Sequence, residues 1–170
     1  SEGNFDALAL DVARYQRDTL PAYGALVAGC GGTLEHWKNA PLVPTEIFRE
    51  IDLSPANNTP QATFLTSGTT GIARRGMRRV PDLDLYHAGC RAPFIASVLN
   101  NDATPKPWVS LIPSMHALPD SSLSHMIQIL GDELASSLVF GAASDGLDVP
   151  TTVAALEACT KKNEPYVLLT

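Results

Sequence analysis

Apolar residues recur along the chain at spacings that outline its elements. Phe5, Leu8, Val12 and Tyr15 follow at steps of three and four, which predicts an amphipathic helix capped by Asn4, with Arg14, Arg17 and Asp18 off the stripe. Pro21 then suits the start of a second short helix through Val27, broken by Gly29, Gly31 and Gly32. The stretch from His36 to Pro44 reads as an irregular, proline-bounded connection anchored by Trp37. Beyond it the spacing shortens. Ala62–Thr66, Trp108–Ile112, Ser137–Phe140 and Tyr166–Thr170 are short apolar or β-branched runs, each predicting a buried strand.

Helical patterns separate those runs. Pro81 suits the first turn of a helix reaching about Leu99, with Asp82 and Asp84 near its positive end and a kink expected at Pro93. Asp120 or Ser121 can cap a second helix, along which Leu123, Met126, Ile127, Leu130 and Leu134 form an apolar stripe read as core. Gly141–Gly146 reads as a loop, and Thr151–Lys162 as a helix with Val153, Leu156 and Cys159 in register. The alternation predicts an α/β fold, a mainly parallel sheet flanked by helices and preceded by a helical segment. Residues 1–60 make up that segment and 61–170 an α/β subdomain. An apolar strand at the end of the chain suggests that the polypeptide is cut within a larger α/β fold.

Composition narrows the function classes. Hydrophobic residues make up 45% and charged residues 18%, which excludes a disordered chain, and 170 residues suffice for a core without disulfides or metals. A net charge of −6 argues against nucleic acid as a partner. No apolar run is long enough to span a bilayer, and no signal-peptide pattern follows Ser1. Cys30, Cys90 and Cys159 are widely spaced and odd in number, which supports neither a zinc site nor a disulfide framework. They read as buried free thiols in a reducing cytoplasm.

One segment carries chemistry. After the first strand comes Thr66-Ser67-Gly68-Thr69-Thr70-Gly71, whose glycines let backbone N–H groups converge on an anion and whose four hydroxyls can donate to phosphate oxygens. It is neither a Walker A loop nor a dinucleotide fingerprint. Arg74, Arg75, Arg78 and Arg79 follow at once, four of the chain's twelve basic residues, and guanidinium groups bind phosphate in bidentate fashion. A run of charge by itself is usually a solvated face. Directly after a hydroxyl-rich glycine loop, phosphate binding is the better reading.

The order of residues resembles the phosphate-binding signature of the adenylate-forming (acyl-CoA synthetase-like) superfamily, whose TSGTTG core is matched from Thr66 to Gly71. Where that loop usually continues with any residue, Pro and Lys, this one continues Ile72-Ala73-Arg74, and Arg74 keeps the charge. Within the superfamily the chain is most similar to the acyl-protein synthetase (LuxE-type) family. The outlying resemblances are Phe5-x-x-Leu8-Ala9-Leu10 with Gln16, Pro21 and Tyr23; His36-Trp37, Pro41–Pro44 and Phe48; and Pro113-Ser114 leading to Ser121-Ser122-Leu123 and Met126.

The resemblance implies the N-terminal part of an adenylate-forming enzyme fold that uses ATP and Mg2+. Such an enzyme activates a carboxylic acid, here a fatty acid by preference, as the acyl-adenylate and passes the acyl group to a protein thiol. Thr66, Ser67, Gly68, Thr69, Thr70, Gly71 and Arg74 would bind the phosphates, and His116 would line the acyl or nucleotide pocket. The implied partners are the acid and an acyl-accepting protein or thiol, and a homo-oligomer is allowed. The downstream nucleotide-gripping, metal-binding and lysine-bearing parts of such enzymes have no counterpart here, so the fragment alone is expected to be inactive. The alternative is a non-catalytic nucleotide- or phosphate-binding module.

Ser114, His116 and Asp120 lie within seven residues, but a hydrolase triad is assembled from distant segments and no G-x-S-x-G elbow occurs. His125 is expected at the flank of its helix, and His36 and His87 have no partner evident in the sequence.

Overall fold

In the computed structural model, which describes residues 2–55, 59–66 and 75–170, five helices and seven strands follow in chain order. They are α1 (Glu2–Thr19), α2 (Pro21–Gly29), β1 (Ala62–Leu65), β2 (Met77–Val80), α3 (Leu83–Ser97), β3 (Lys106–Ser110), α4 (Ser122–Leu134), β4 (Ala135–Phe140), β5 (Ala142–Ala143), β6 (Gly146–Leu147), α5 (Val149–Lys161) and β7 (Val167–Leu169). The chain divides into two compact units: Ser1–Gln61 with Gly68–Pro81, and Ala62–Ser67 with Asp82–Thr170.

The first unit is built on a helical hairpin. Pro21 opens α2 with its fixed φ, and Gly24 lets the two helices approach, since a Cβ there would lie 2.7 Å from the Arg17 carbonyl oxygen. Ala13, Tyr23, Val27 and Leu34 form its buried cluster, and Arg14 donates to the Leu34 carbonyl at 3.0 Å. The Phe5, Leu8, Val12 and Tyr15 stripe lies outside this cluster and is exposed, although α1 is the helix its spacing predicts; that helix already begins at Glu2, so Asn4 lies within it rather than capping it. The hairpin seam selects small Ala13 instead, because close helix approach leaves little room for larger side chains.

Two short 3-10 turns follow, Trp37–Asn39 and Thr45–Arg49. Trp37 is anchored by its indole N–H donating to Asp6 at 2.7 Å and by the edge of Phe5. The sequence pattern gave no hint of β2, whose Arg78 and Arg79 are exposed.

The second unit holds a three-stranded parallel sheet in the order β4-β3-β7, so the chain is of the α/β class with a parallel sheet and flanking helices. Trp108 pairs with Leu138 on one side and Val167 on the other. Trp108, Phe94, Ile127, Leu130, Leu134 and Leu169 form the core on one sheet face. Strand alternation places Val109 on the opposite face, and α5 packs against β3 and β4.

Each helix of this unit has a side-chain cap. Asp82 accepts the Leu85 N–H at 2.9 Å, Ser121 that of Ser124 at 3.2 Å, and Asp148 that of Thr151 at 3.0 Å. Pro81 thus precedes the cap of α3 rather than lying in its first turn, and α3 runs through Pro93 to Ser97.

Packing shifts two expected helix faces. In α4 the buried row is Ser124, Ile127, Leu130, Gly131 and Leu134, while Leu123 is exposed. In α5 Thr152 is buried in place of Val153, because its hydroxyl lies 2.8 Å from the Asp148 carbonyl and 3.1 Å from that of Gly141. Gly141–Gly146 includes the tiny β5–β6 hairpin. Of the three thiols only Cys159 is buried. Cys90 is half-buried, and Cys30 is exposed where α2 ends in glycines.

Candidate functional site

The strand that introduces the glycine-rich loop is tied to the loop following β3. Phe64 is buried in β1, and the Leu65 N–H donates to the Asp120 carbonyl at 2.8 Å. β1 is not a strand of the β4-β3-β7 sheet, and Thr66 follows it, exposed. Ser67, Gly68, Thr69, Thr70, Gly71 and Arg74 lie outside the described residues. Arg75 and Arg78 are exposed, and Arg79 is joined to Asp52 at 3.0 Å, so its charge is matched within its own unit.

The exit from β3 is shaped by its own hydroxyls. Ser110 is fully buried, and its hydroxyl both donates to the Ile112 carbonyl at 2.8 Å and accepts the Ile112 N–H at 3.1 Å. Ser114 then accepts the Ala117 N–H on its hydroxyl at 3.3 Å, while its carbonyl receives the N–H groups of Ala117 and Leu118. This turn displays His116 to solvent. The Ser114 hydroxyl therefore serves the turn, a structural use rather than that of a nucleophile.

Beneath β1 lies a ring cluster that the sequence did not reveal. Phe64 is 5.5 Å from Tyr86 and 5.3 Å from His125, and His87 is 6.1 Å from His125, all between ring centroids. The Tyr86 hydroxyl donates to the Ser122 carbonyl at 2.8 Å, joining α3 to the start of α4. Burial first, and Cys90 second, hold the Tyr86 phenol well above its usual range. Burial, with a smaller contribution from His87, holds the His125 imidazole below its own. The separation of His87 and His125 in sequence hides their contact; the local sign is that each lies little more than one turn beyond a helix cap, Asp82 and Ser121.

Among the described residues, no group of three or more His, Cys, Asp or Glu side chains is arranged to hold a metal ion. Among the same residues, no helix is long and apolar enough to cross a membrane. No family model matches the chain, and comparison with curated proteins and with solved structures finds no match.

Proposed function

We propose that the chain supplies the phosphate-binding part of an ATP-dependent, adenylate-forming ligase of the acyl-protein synthetase type, working in the cytoplasm. The observation that carries this reading is the unbroken order TSGTTG from Thr66 to Gly71, followed by four arginines in a net-acidic chain. The hydrogen bond from the Leu65 N–H to the Asp120 carbonyl supports it, because it fixes the end of the strand from which the TSGTTG segment departs.

In this reading a carboxylate oxygen of the acid attacks the α-phosphorus of ATP, and the bond to the β-phosphate breaks to release pyrophosphate. Hydroxyls of Thr66, Ser67, Thr69 and Thr70 donate to the phosphate oxygens, and Arg74 offsets the charge that grows on the leaving group. Mg2+ accompanying the nucleotide would supply further charge shielding to the phosphates. A protein thiolate then attacks the acyl carbonyl and AMP departs. In the same reading His116, exposed in the loop after β3, lines the pocket for the acid or nucleotide.

ATP–pyrophosphate exchange across fatty and aromatic acids tests the reaction, using the longest form of the protein that the gene encodes. Exchange with at least one acid is expected. Calorimetry with ATP, AMP and pyrophosphate tests the loop itself. Arg74→Ala is expected to weaken pyrophosphate binding by about 10-fold or more, the loss of one charge-assisted bond. Binding without exchange would leave a nucleotide-binding module, the reading favoured by the replacement of the usual Pro-Lys with Ala73-Arg74. Undiminished binding in Arg74→Ala and Thr70→Val would refute the phosphate loop in either form.

A further inference from the structure

Three buried polar atoms of the α/β unit have no hydrogen-bond partner: His87 Nε2, His125 Nε2 and Ser124 Oγ. Buried polar groups are ordinarily paired, so three such atoms on two neighbouring helices need an explanation. Two of them belong to imidazoles whose ring centroids lie 6.1 Å apart at a tilt of 40°, with the rings of Phe64 and Tyr86 beside them. A neutral imidazole keeps one nitrogen without a proton, whereas its cation carries N–H on both. An unpaired neutral nitrogen in such a place costs little compared with a charged N–H that finds neither acceptor nor water.

We propose that His125, set against His87, is the proton-sensitive part of a latch between α3 and α4, closed while its ring is neutral and released when it takes up a proton. Among the described residues, the groups around the pair leave a cation without compensation. From α3 come the Tyr86 phenol and Cys90, from α4 Ser124, and from β1 Phe64; none is a carboxylate. Asp82 spends its carboxylate on the α3 cap, and Asp84 is exposed one turn before the cluster. In the adjoining loop stand Asp120, whose carbonyl is bound to β1, and the exposed His116.

Release is confined to one end of the helix pair. At the other end Arg91 is joined to Glu133 at 2.5 Å, so α3 and α4 stay attached there while the Tyr86–Ser122 contact opens. The lowered proton affinity of His125 agrees with this arrangement. With the folded value depressed, the unfolded chain takes up the proton first. Stability is therefore complete above about pH 6.5, the ordinary histidine value, and is lost as the pH falls through the folded value. The latch acts on the fold itself and stands whether or not the chain binds a nucleotide.

Urea unfolding of the whole chain between about pH 7.5 and pH 5 tests it, since the ordinary histidine value falls inside that window. The unfolding equilibrium constant is expected to rise below about pH 6.5, by up to about tenfold per pH unit for each proton bound. The double variant H87Q/H125Q is expected to lose that rise, and His36→Gln, at an exposed site, to keep it. Asp18, Asp102 and Asp148 are held below the usual carboxylate range by Arg17, Lys106 and Thr151, so their contributions fade only at lower pH. NMR titration of the imidazole resonances in the native chain reads the pair without relying on any variant to fold. The His125 ring is expected to titrate below the histidines of the urea-unfolded chain. A flat wild-type profile, an unchanged slope in the double variant, or a native His125 titrating as in the unfolded chain would each overturn the latch.

Discussion

Trp108, Ile127 and Leu130 of the α/β unit are 1–2% exposed, whereas Phe5, Leu8, Val12 and Tyr15 of α1 are 46–62% exposed. Both sets sit at regular apolar spacing, and only one is covered. A parallel strand is flanked on both sides and covered on both faces, so β3 buries nearly everything it carries. A helical hairpin covers one narrow seam, and in this one the seam runs through Ala13 and Val27. Periodicity thus reports that a helix has an apolar face. It does not report what the face meets.

Substitutions in the two units turn this contrast into numbers, all readable by urea unfolding. Trp108→Ala should cost about 3–5 kcal/mol, enough to threaten the α/β unit, because the large ring leaves a cavity between α3, α4 and the sheet. Leu130→Ala follows at about 2–5 kcal/mol for the same reason.

Gly141→Ala should cost about 1–3 kcal/mol as overpacking. The new Cβ would lie 2.2 Å from Thr152 Oγ1, which is fixed by two backbone carbonyls and cannot easily yield. Gly24→Ala makes the matching test in the helical unit, where the obstacle is the Arg17 backbone, and a similar loss is expected. Ser121→Ala should remove about 1 kcal/mol with the cap of α4. Leu8→Ala should change stability by less than about 0.5 kcal/mol, as at an ordinary exposed site. A loss from Leu8→Ala approaching that of Leu130→Ala would break the comparison, showing that the α1 stripe is covered in solution.

Much of the α/β unit was legible because its signals are local and mutually consistent. The run around Trp108 is too apolar and β-branched for a surface loop, and Ser121 with the 127, 130 and 134 spacing fixes α4. Shifts of register arose where polar or small residues were buried. Thr152 displaced Val153 because two carbonyls lay within reach of its hydroxyl, and Gly131 is buried where a Cβ would come within 2.6 Å of Leu138. β2 escaped notice because Arg78 and Arg79 give it no apolar alternation.

The candidate site divides in the same way. The TSGTTG order is contiguous, so its phosphate chemistry could be argued from residue types alone. The His87–His125 pair could not, since its members lie on different helices and meet only when α3 packs on α4. Likewise, Arg79 looked like one of four equivalent arginines until Asp52 was found beside it.

The sequence by itself determined the strand–helix alternation, the Ser121 cap of α4, the contiguous TSGTTG order and the wide spacing of the cysteines, all properties of neighbouring residues. Tertiary structure decided the strand order β4-β3-β7, which helix faces are covered, and which histidines touch. The physical reason is that propensity and periodicity act over one or two turns. Burial and charge pairing depend on whatever distant segment arrives to exclude the water.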